Sequence, residues 1–405
     1  MVLPVKSINE LKEVISENVE LNKDLYLSTS HEIHARPEIG NEEFFASERL
    51  ISILKNEGFE VEKAVAGHET SFVARKKSNK PGPSIAFLAE YDALPGIGHA
   101  SGHNIIGTTS VAAAIALSKV LDETGGEAVV FGTPAEEGGP NGSAKGSFVK
   151  YGLVKGIDAA LMLHPSGQTR LTSSSLAADP LDFEYIGKPA HAAASPHEGI
   201  NALDAIIQLF NGINALRQQL TDDVRIHGII THGGDAPNII PEYAKARFFI
   251  RASTRTRLNE VTRRVKAVAE GAAIATGAKL NIIAFQNEVD HLLVNERYNE
   301  VFKTVIEELG EIVAKGERAG IGSTDAGNIS QVVPTIHPYI KIGPDNLVAH
   351  TVPFREAAAS VQGDEALLKG AKALALTAFY LITDDALLDE IKAEFQLKKT
   401  AESIQ

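Results

Sequence analysis

The chain has 405 residues, room for two or three domains at about 150 residues each. Its composition, 44% hydrophobic and 22% charged, excludes disordered, collagenous and low-complexity polymers. A formal net charge of −13 argues against general affinity for nucleic acid or anionic membrane, and the absence of cysteine excludes disulfides, cysteine-based zinc fingers, iron–sulfur clusters and thiol nucleophiles.

The start, MVLPVKSINELKEV, lacks the basic segment and apolar core of a signal peptide. No uninterrupted apolar run reaches the roughly eighteen residues of a membrane span. The expectation is a soluble cytoplasmic protein without membrane partners.

In chain order, apolar residues from Ile8 to Leu25 recur at helical spacing behind a capping Ser7, and Pro37 closes that helix. A helix over Glu42–Asn56 ends before Gly58. Strands follow at Phe59–Ala66, Ser71–Arg75 and Ser84–Glu90, then helix Ile105–Leu121, strand Ala128–Gly132, helix Ser143–Tyr151 and strand Ala159–Leu163. Strands alternating with helices predict an α/β fold with a mostly parallel central sheet. From Asp182 to Phe285 the pattern changes to β-α-β-β-α-β, a complete ferredoxin-like unit, with helices at Gly199–Leu216 and Leu258–Ala275. It reads as an insertion. Helix Glu296–Ala314 and a long C-terminal helix Arg355–Leu381 resume the first pattern. The expected domains are 1–178 plus 290–405, and an inserted 179–289.

Several familiar chemistries are missing. No serine sits in G-x-S-x-G and there is no Walker A sequence. The G-x-G at Gly96–Gly98 lacks its third glycine. Ser52–Lys55 fits S-x-x-K only within an amphipathic helix, and HEIH at His31–His34 is one residue short of H-E-x-x-H. The remaining polar groups collect just past buried strands: Glu90 and Asp92 after one, Glu136 and Glu137 after the next, His164 after the third. His99 and His103 precede or open a helix, and His350 stands far down the chain. In open α/β sheets the carboxyl ends of strands form the binding crevice. Any single histidine or Glu-Glu pair is more often a satisfied or solvated group. Jointly, carboxylates and imidazoles without thiolate suit divalent Zn or Mn, with one of the adjacent glutamates on metal and the other free as a base.

At these residues the sequence resembles the M20 metallopeptidase family, in its aminoacylase-like and aminobenzoyl-glutamate hydrolase-like amidohydrolase branch. The likeness runs through HARPEIGNEE, EYDALPGIGHASGHN, GTPAEEGGPNGSAKG, ALMLHP, GKPAHAAASPHEGINALDA, GDAPNIIPEYAKARFFIRA, GSTDAGNIS and VAHT, in that order along almost the whole chain. It implies a catalytic domain with two divalent ions and an inserted lid or dimerisation domain, in a homodimer or higher homo-oligomer. His103, Glu137, His164 and His350 match metal ligands. Glu136 matches the general base and Asp92 the carboxylate that orients a ligand histidine. His191 matches an oxyanion-stabilising histidine. Asn238 and Arg251 match groups holding the substrate's carbonyl and carboxylate.

One departure matters. The family reads A-C-G-H, with the cysteine bridging the metals; here the segment is Ala100-Ser101-Gly102-His103. A neutral serine hydroxyl replaces an anionic, soft thiolate, so at least one metal position is expected to weaken, leaving one tight and one loose ion, two ions bridged only by water or substrate, or a largely empty site. His99 is given a supporting place beside it. The reading is a metal-dependent amidohydrolase acting on a small-molecule N-acyl amino acid, dipeptide or aminobenzoyl-glutamate-like amide. The alternative is a metal-depleted, weakly active relative that binds such molecules as a dimer. A serine amidase using Ser101 and His103 is set aside, because Gly102 adjoins the serine and no oxyanion signature accompanies it.

Overall fold

The computed structural model describes residues 6–316 and 322–404. They form two compact units. One takes the described residues up to Ser174 and those from Leu292 onward, except Gly322–Thr324; the other is Ser175–His291 with Gly322–Thr324.

The first unit opens with α1 (Ile8–Leu21), α2 (Lys23–Ala35) and α3 (Phe44–Asn56). Ser7 and Glu10 close a reciprocal capping box at the start of α1. The single helix expected here is two, because Asn22 turns its side-chain amide back onto the Asn18 carbonyl (2.8 Å) and ends α1. Strands β1 (Glu60–Lys63), β2 (Phe72–Lys77) and β3 (Ser84–Ala89) follow, then α4 (His103–Ser118), the short α5 (Leu121–Thr124), β4 (Glu127–Gly132), α6 (Ala144–Lys150), β5 (Ala159–Leu161) and β6 (His164–Ser166).

The second unit is β7 (Ala177–Ile186), α7 (Ala202–Leu216), β8 (Arg225–His232), β9 (Tyr243–Ala252), α8 (Arg255–Thr276) and β10 (Lys279–Ala284). Its sheet order, β10-β7-β9-β8, is antiparallel throughout, as the β-α-β-β-α-β pattern requires. Along β9 every second residue is buried: Ala244, Ala246, Phe248 and Ile250 face Leu209 and Ile213 of α7 and Val265 and Ala269 of α8.

The chain then completes the first unit with α9 (Glu296–Glu308), α10 (Ala326–Ser330), β11 (Thr335–Ile336), β12 (Tyr339–Lys341), α11 (Val352–Ala357), α12 (Val361–Thr383) and α13 (Asp385–Ile404). The expected C-terminal helix is split, since the Ser360 side chain accepts from Gly363 N–H and starts α12 anew. α12 is long and apolar enough by length and composition to cross a membrane. It is largely buried, against α4, α1 and α9.

The main sheet runs β1-β2-β4-β3-β5-β11; the steps β4-β3-β5-β11 are parallel and the β1-β2-β4 edge is antiparallel. The central strands are buried on both faces. Ile85 and Phe87 of β3 pack into the core formed with α4 and α12, while Ala86 and Leu88 join Phe131, Phe148 and Ile329 on the opposite side. That explains why these strands read as continuous apolar runs.

α4 lies close along β3. A Cβ on Gly107 would come within 2.6 Å of the Glu90 carbonyl oxygen. Gly107→Ala is therefore expected to lower stability by about 1–3 kcal/mol, read as an earlier midpoint in chemical denaturation.

Candidate metal centre

The carboxyl ends of β3 and β4 bring the polar groups together in the first unit. Glu90 and Asp92 leave β3 fully buried. His103 opens α4 behind Gly102, whose left-handed φ of 72° and close approach to Pro165 leave no room for a side chain. His103 Nδ1 lies 2.9 Å from Asp92 Oδ1, and the other Asp92 oxygen accepts the Glu137 backbone N–H at 2.9 Å. One carboxylate thus ties the start of α4 to the loop after β4. That loop is also fixed by Glu43, whose Oε1 accepts the Ala135 N–H at 2.9 Å while Thr70 donates to its Oε2 at 2.8 Å. Burial beside Asp92 raises the Glu43 carboxyl to about 7.

With Nδ1 committed to Asp92, His103 presents Nε2 to three carboxylates: Glu90 Oε2 at 3.3 Å, Glu136 Oε2 at 3.8 Å and Glu137 Oε1 at 3.8 Å. This nitrogen is buried and, among the described residues, has no hydrogen-bond partner. One donor atom each from Glu90, His103 and Glu136 lies within 4.8 Å of the others. Glu137 continues the cluster to His350, whose Nε2 is 3.5 Å from Glu137 Oε2. His350 holds a left-handed φ of 65°, and its N–H donates to the Ala100 carbonyl. The Ser101 hydroxyl donates a short hydrogen bond to Glu137 Oε1.

His164 sits on β6, which pairs in parallel with β12, and its ring stands edge-on to His103 with centroids 6.0 Å apart. Its Nδ1 faces the Pro165 carbonyl at 2.8 Å, leaving Nε2 as the free lone pair. His99 does not join the cluster; it stacks on His34.

The electrostatics separate the adjacent glutamates. Burial, Glu90 and Glu137 all push the Glu136 carboxyl well above the usual range. Burial also works upward on Glu137, but His350, His103 and Ser101 outweigh it and hold that carboxyl low. Burial disfavours a charged His103, yet Asp92, Glu90 and Glu137 win and raise it well above an ordinary imidazole. For His99 and His164, burial and neighbouring histidines outweigh Asp92 and Glu90, and both fall to about 3.

The sequence reading assigned no role to Glu90, which belongs to the tightest donor group. It missed Lys145 and Asp325 altogether. Lys145 Nζ is buried 2.7 Å from Glu90 Oε1 and 2.7 Å from Asp325 Oδ1. The available signal was a charged residue inside the otherwise small and apolar start of α6, and an aspartate just ahead of α10. His337 was missed too; its ring lies 5.5 Å from that of His164.

The remaining expected residues belong to the second unit. His191 Nδ1 accepts from the backbone N–H groups of Ala193 and Ala194 at 3.2 and 3.1 Å, which leaves Nε2 as the protonated, donating nitrogen. The Asn238 carbonyl accepts from Ala192 N–H. Arg251 donates to Ser323 Oγ at 2.7 Å from a part-buried position on β9.

Comparison with known proteins places the chain in a family. The Xaa-Arg dipeptidase of Mus musculus is 35% identical over 409 residues, which cover 97% of this chain and 94% of that protein. The chain belongs to the M20 peptidase family. Within it, the peptidase dimerisation domain family matches residues 181–276. A p-aminobenzoyl-glutamate hydrolase polypeptide of Escherichia coli strain K12 is 28% identical over 96% of this chain and 95% of its own length. A dinuclear metal binding M20 peptidase of Bacillus subtilis shares the fold, with a TM-score of 0.66 at 20% identity over 90% of this chain and 99% of that one. This M20 peptidase is accordingly an amide-bond hydrolase with an α/β fold and a compact group of donor atoms from Glu90, His103 and Glu136.

The low imidazole values have a measurable consequence in chelator-treated protein. Between pH 6.5 and about 3 the unfolded chain binds protons at His99 and His164 that the folded chain refuses, so stability falls with acidification. Each group contributes about 1.4 kcal/mol per pH unit in that window. His103 acts oppositely: its contribution is complete below the ordinary imidazole pKa and is lost only as pH rises through its raised value. Urea denaturation across the acid range should give a shallower slope for His99→Gln, by about one proton's worth.

Proposed function

We propose that this M20 peptidase is a divalent-metal-dependent amidohydrolase that cleaves an N-acyl amino acid, dipeptide or aminobenzoyl-glutamate-like amide with Glu136 as general base. The observation that carries the reading is the buried His103 Nε2, oriented by Asp92 and facing Glu90, Glu136 and Glu137 without a hydrogen-bond partner among the described residues. An imidazole nitrogen among ionisable oxygens suits a cation, which would replace its proton, in a way that it does not suit an apolar or anionic ligand. The residues therefore fit the metal that the family implies. His103, Glu137, His164 and His350 would hold two Zn or Mn ions per chain, with Ser101 on the weaker side. A bound ion supplies Lewis acidity toward the scissile carbonyl and lowers the pKa of water.

This chain's own groups do the rest. Glu136, its carboxyl raised well above the usual range by burial and by Glu90 and Glu137, takes the proton of the attacking water and passes it to the leaving amine. Asp92, holding Nδ1, orients His103 so that Nε2 is the nitrogen that would give up its proton to a bound ion. His191, donating through Nε2, steadies the tetrahedral oxyanion, and one such donor can be worth about 2.7–4 kcal/mol. Arg251 and Asn238 receive the carboxylate and carbonyl of the substrate. The names of the mouse and bacterial relatives support short amides ending in a free amino-acid carboxylate. The match to a peptidase dimerisation domain supports a homodimer or higher homo-oligomer.

Glu136→Gln should lower kcat by about 10²–10⁴ in metal-supplemented assays across N-acyl amino acids, dipeptides and aminobenzoyl-glutamate, with metal content unchanged. Undiminished turnover would remove Glu136 as the base. Activity that survives a chelator would remove the metal.

A second reading has its own observation. The Ser101 hydroxyl donates to Glu137, so it occupies a candidate ligand oxygen instead of supplying a charge. A metal-poor, weakly active amide-binding protein follows from that. Ser101→Cys, assayed for metal equivalents per chain and turnover, separates the two: a large joint gain supports the second reading, no gain the first.

A further inference from the structure

Lys145 has no part in the chemistry proposed above, yet it is wholly buried beside that site. Burying an ammonium costs several kcal/mol unless it is well paired, and an apolar side chain of similar volume is often no less stabilising at such a place. The chain nevertheless retains the charge and surrounds it with specific partners. Nζ meets Glu90 Oε1 and Asp325 Oδ1, each at 2.7 Å. Asp325 Oδ2 turns back to accept the Lys145 backbone N–H at 3.1 Å, which ties the first turn of α6 to the residue before α10. The second Glu90 oxygen then lies 3.3 Å from His103 Nε2. Asp325, Lys145, Glu90 and His103 form an unbroken line of polar contacts, and Asp92 grips the far side of the same imidazole.

We propose that Lys145 is a positioning residue of the metal centre: anchored by Asp325, it holds one oxygen of Glu90 so that the other stays beside His103 Nε2, and this arrangement sets the affinity for a divalent ion. The inference rests on the metal-dependent reading above. Glu90 has two equivalent oxygens and a flexible stem. Without the ammonium, neither oxygen has a fixed direction, and Glu90 no longer keeps its place beside the His103 nitrogen that would meet the ion.

The sign of the effect discriminates between explanations. A lysine that acted only as a nearby positive charge would repel a dication, so its removal would tighten binding. A lysine that positions a donor does the reverse.

The test uses full-length wild type, Lys145→Met, Lys145→Arg and Asp325→Asn, each checked for folding by circular dichroism. Mn²⁺ is then titrated into the chelator-stripped proteins by calorimetry, without substrate. Folded Lys145→Met should bind Mn²⁺ about tenfold or more weakly, with partial recovery in Lys145→Arg. Mn²⁺ affinity within twofold of wild type, or tighter, in folded Lys145→Met overturns the proposal. Should Lys145→Met fail to fold, Asp325→Asn, which keeps the lysine and loosens its anchor, decides the matter: a smaller loss of the same sign supports the proposal, and unchanged or tighter binding overturns it. A wild-type chain that binds neither Mn²⁺ nor Zn²⁺ instead sinks the metal-dependent reading itself, so the two failures are distinguishable.

Discussion

Charge kept out of water is the constraint on which this structure turns. Glu90, Asp92, His103, Lys145 and Asp325 are all buried at the carboxyl edge of an apolar sheet sandwich. Each would be prohibitively costly alone. They coexist because each ion meets another: Asp92 joins α4 to the loop after β4, Lys145 joins the β3 exit to α6 and α10, and Glu43 clamps the turn at Ala135. The same contacts that stabilise the buried charges also fix the direction of the side chains facing the centre.

That arrangement also divides labour between chemically identical residues. Glu136 and Glu137 are neighbours in the chain, but only Glu137 has His350 and Ser101 against its carboxylate. One is held ionised and the other is driven toward the protonated form. Three histidines diverge for a similar reason. Carboxylates around His103 raise its pKa, whereas burial and neighbouring imidazoles lower those of His99 and His164. Environment, more than residue type, sets the role of each group.

Serine at position 101 perturbs the most charge-sensitive place in this network. In the described arrangement its hydroxyl is a donor to Glu137, where a thiolate would be an anionic acceptor. The centre therefore carries one negative charge fewer than the A-C-G-H pattern would give it. The Lys145 ammonium subtracts another by pairing with Glu90. Metal loading in this chain is accordingly a question about a few named charges, while the fold around them is that of the family.

The sequence alone determined the alternation of buried strands and helices, the separate β-α-β-β-α-β unit, and the positions just past β3 and β4 where polar groups collect. Each is written in local periodicity: continuous apolar runs for strands covered on both faces, alternation for β9, and capping or turn residues at the ends. Asp92, His103, Glu136 and Glu137 were legible because they follow those runs directly. Tertiary structure decided what spacing cannot encode. It divided the first expected helix at Asn22, whose side-chain amide adds a second donor to the Asn18 carbonyl, and the long C-terminal one at Ser360, whose hydroxyl caps a new first turn. It brought Lys145 and Asp325, 180 residues apart in sequence, to Glu90. Their pairing rests on distances between side chains carried by three different elements, and no local pattern of residues records such a distance.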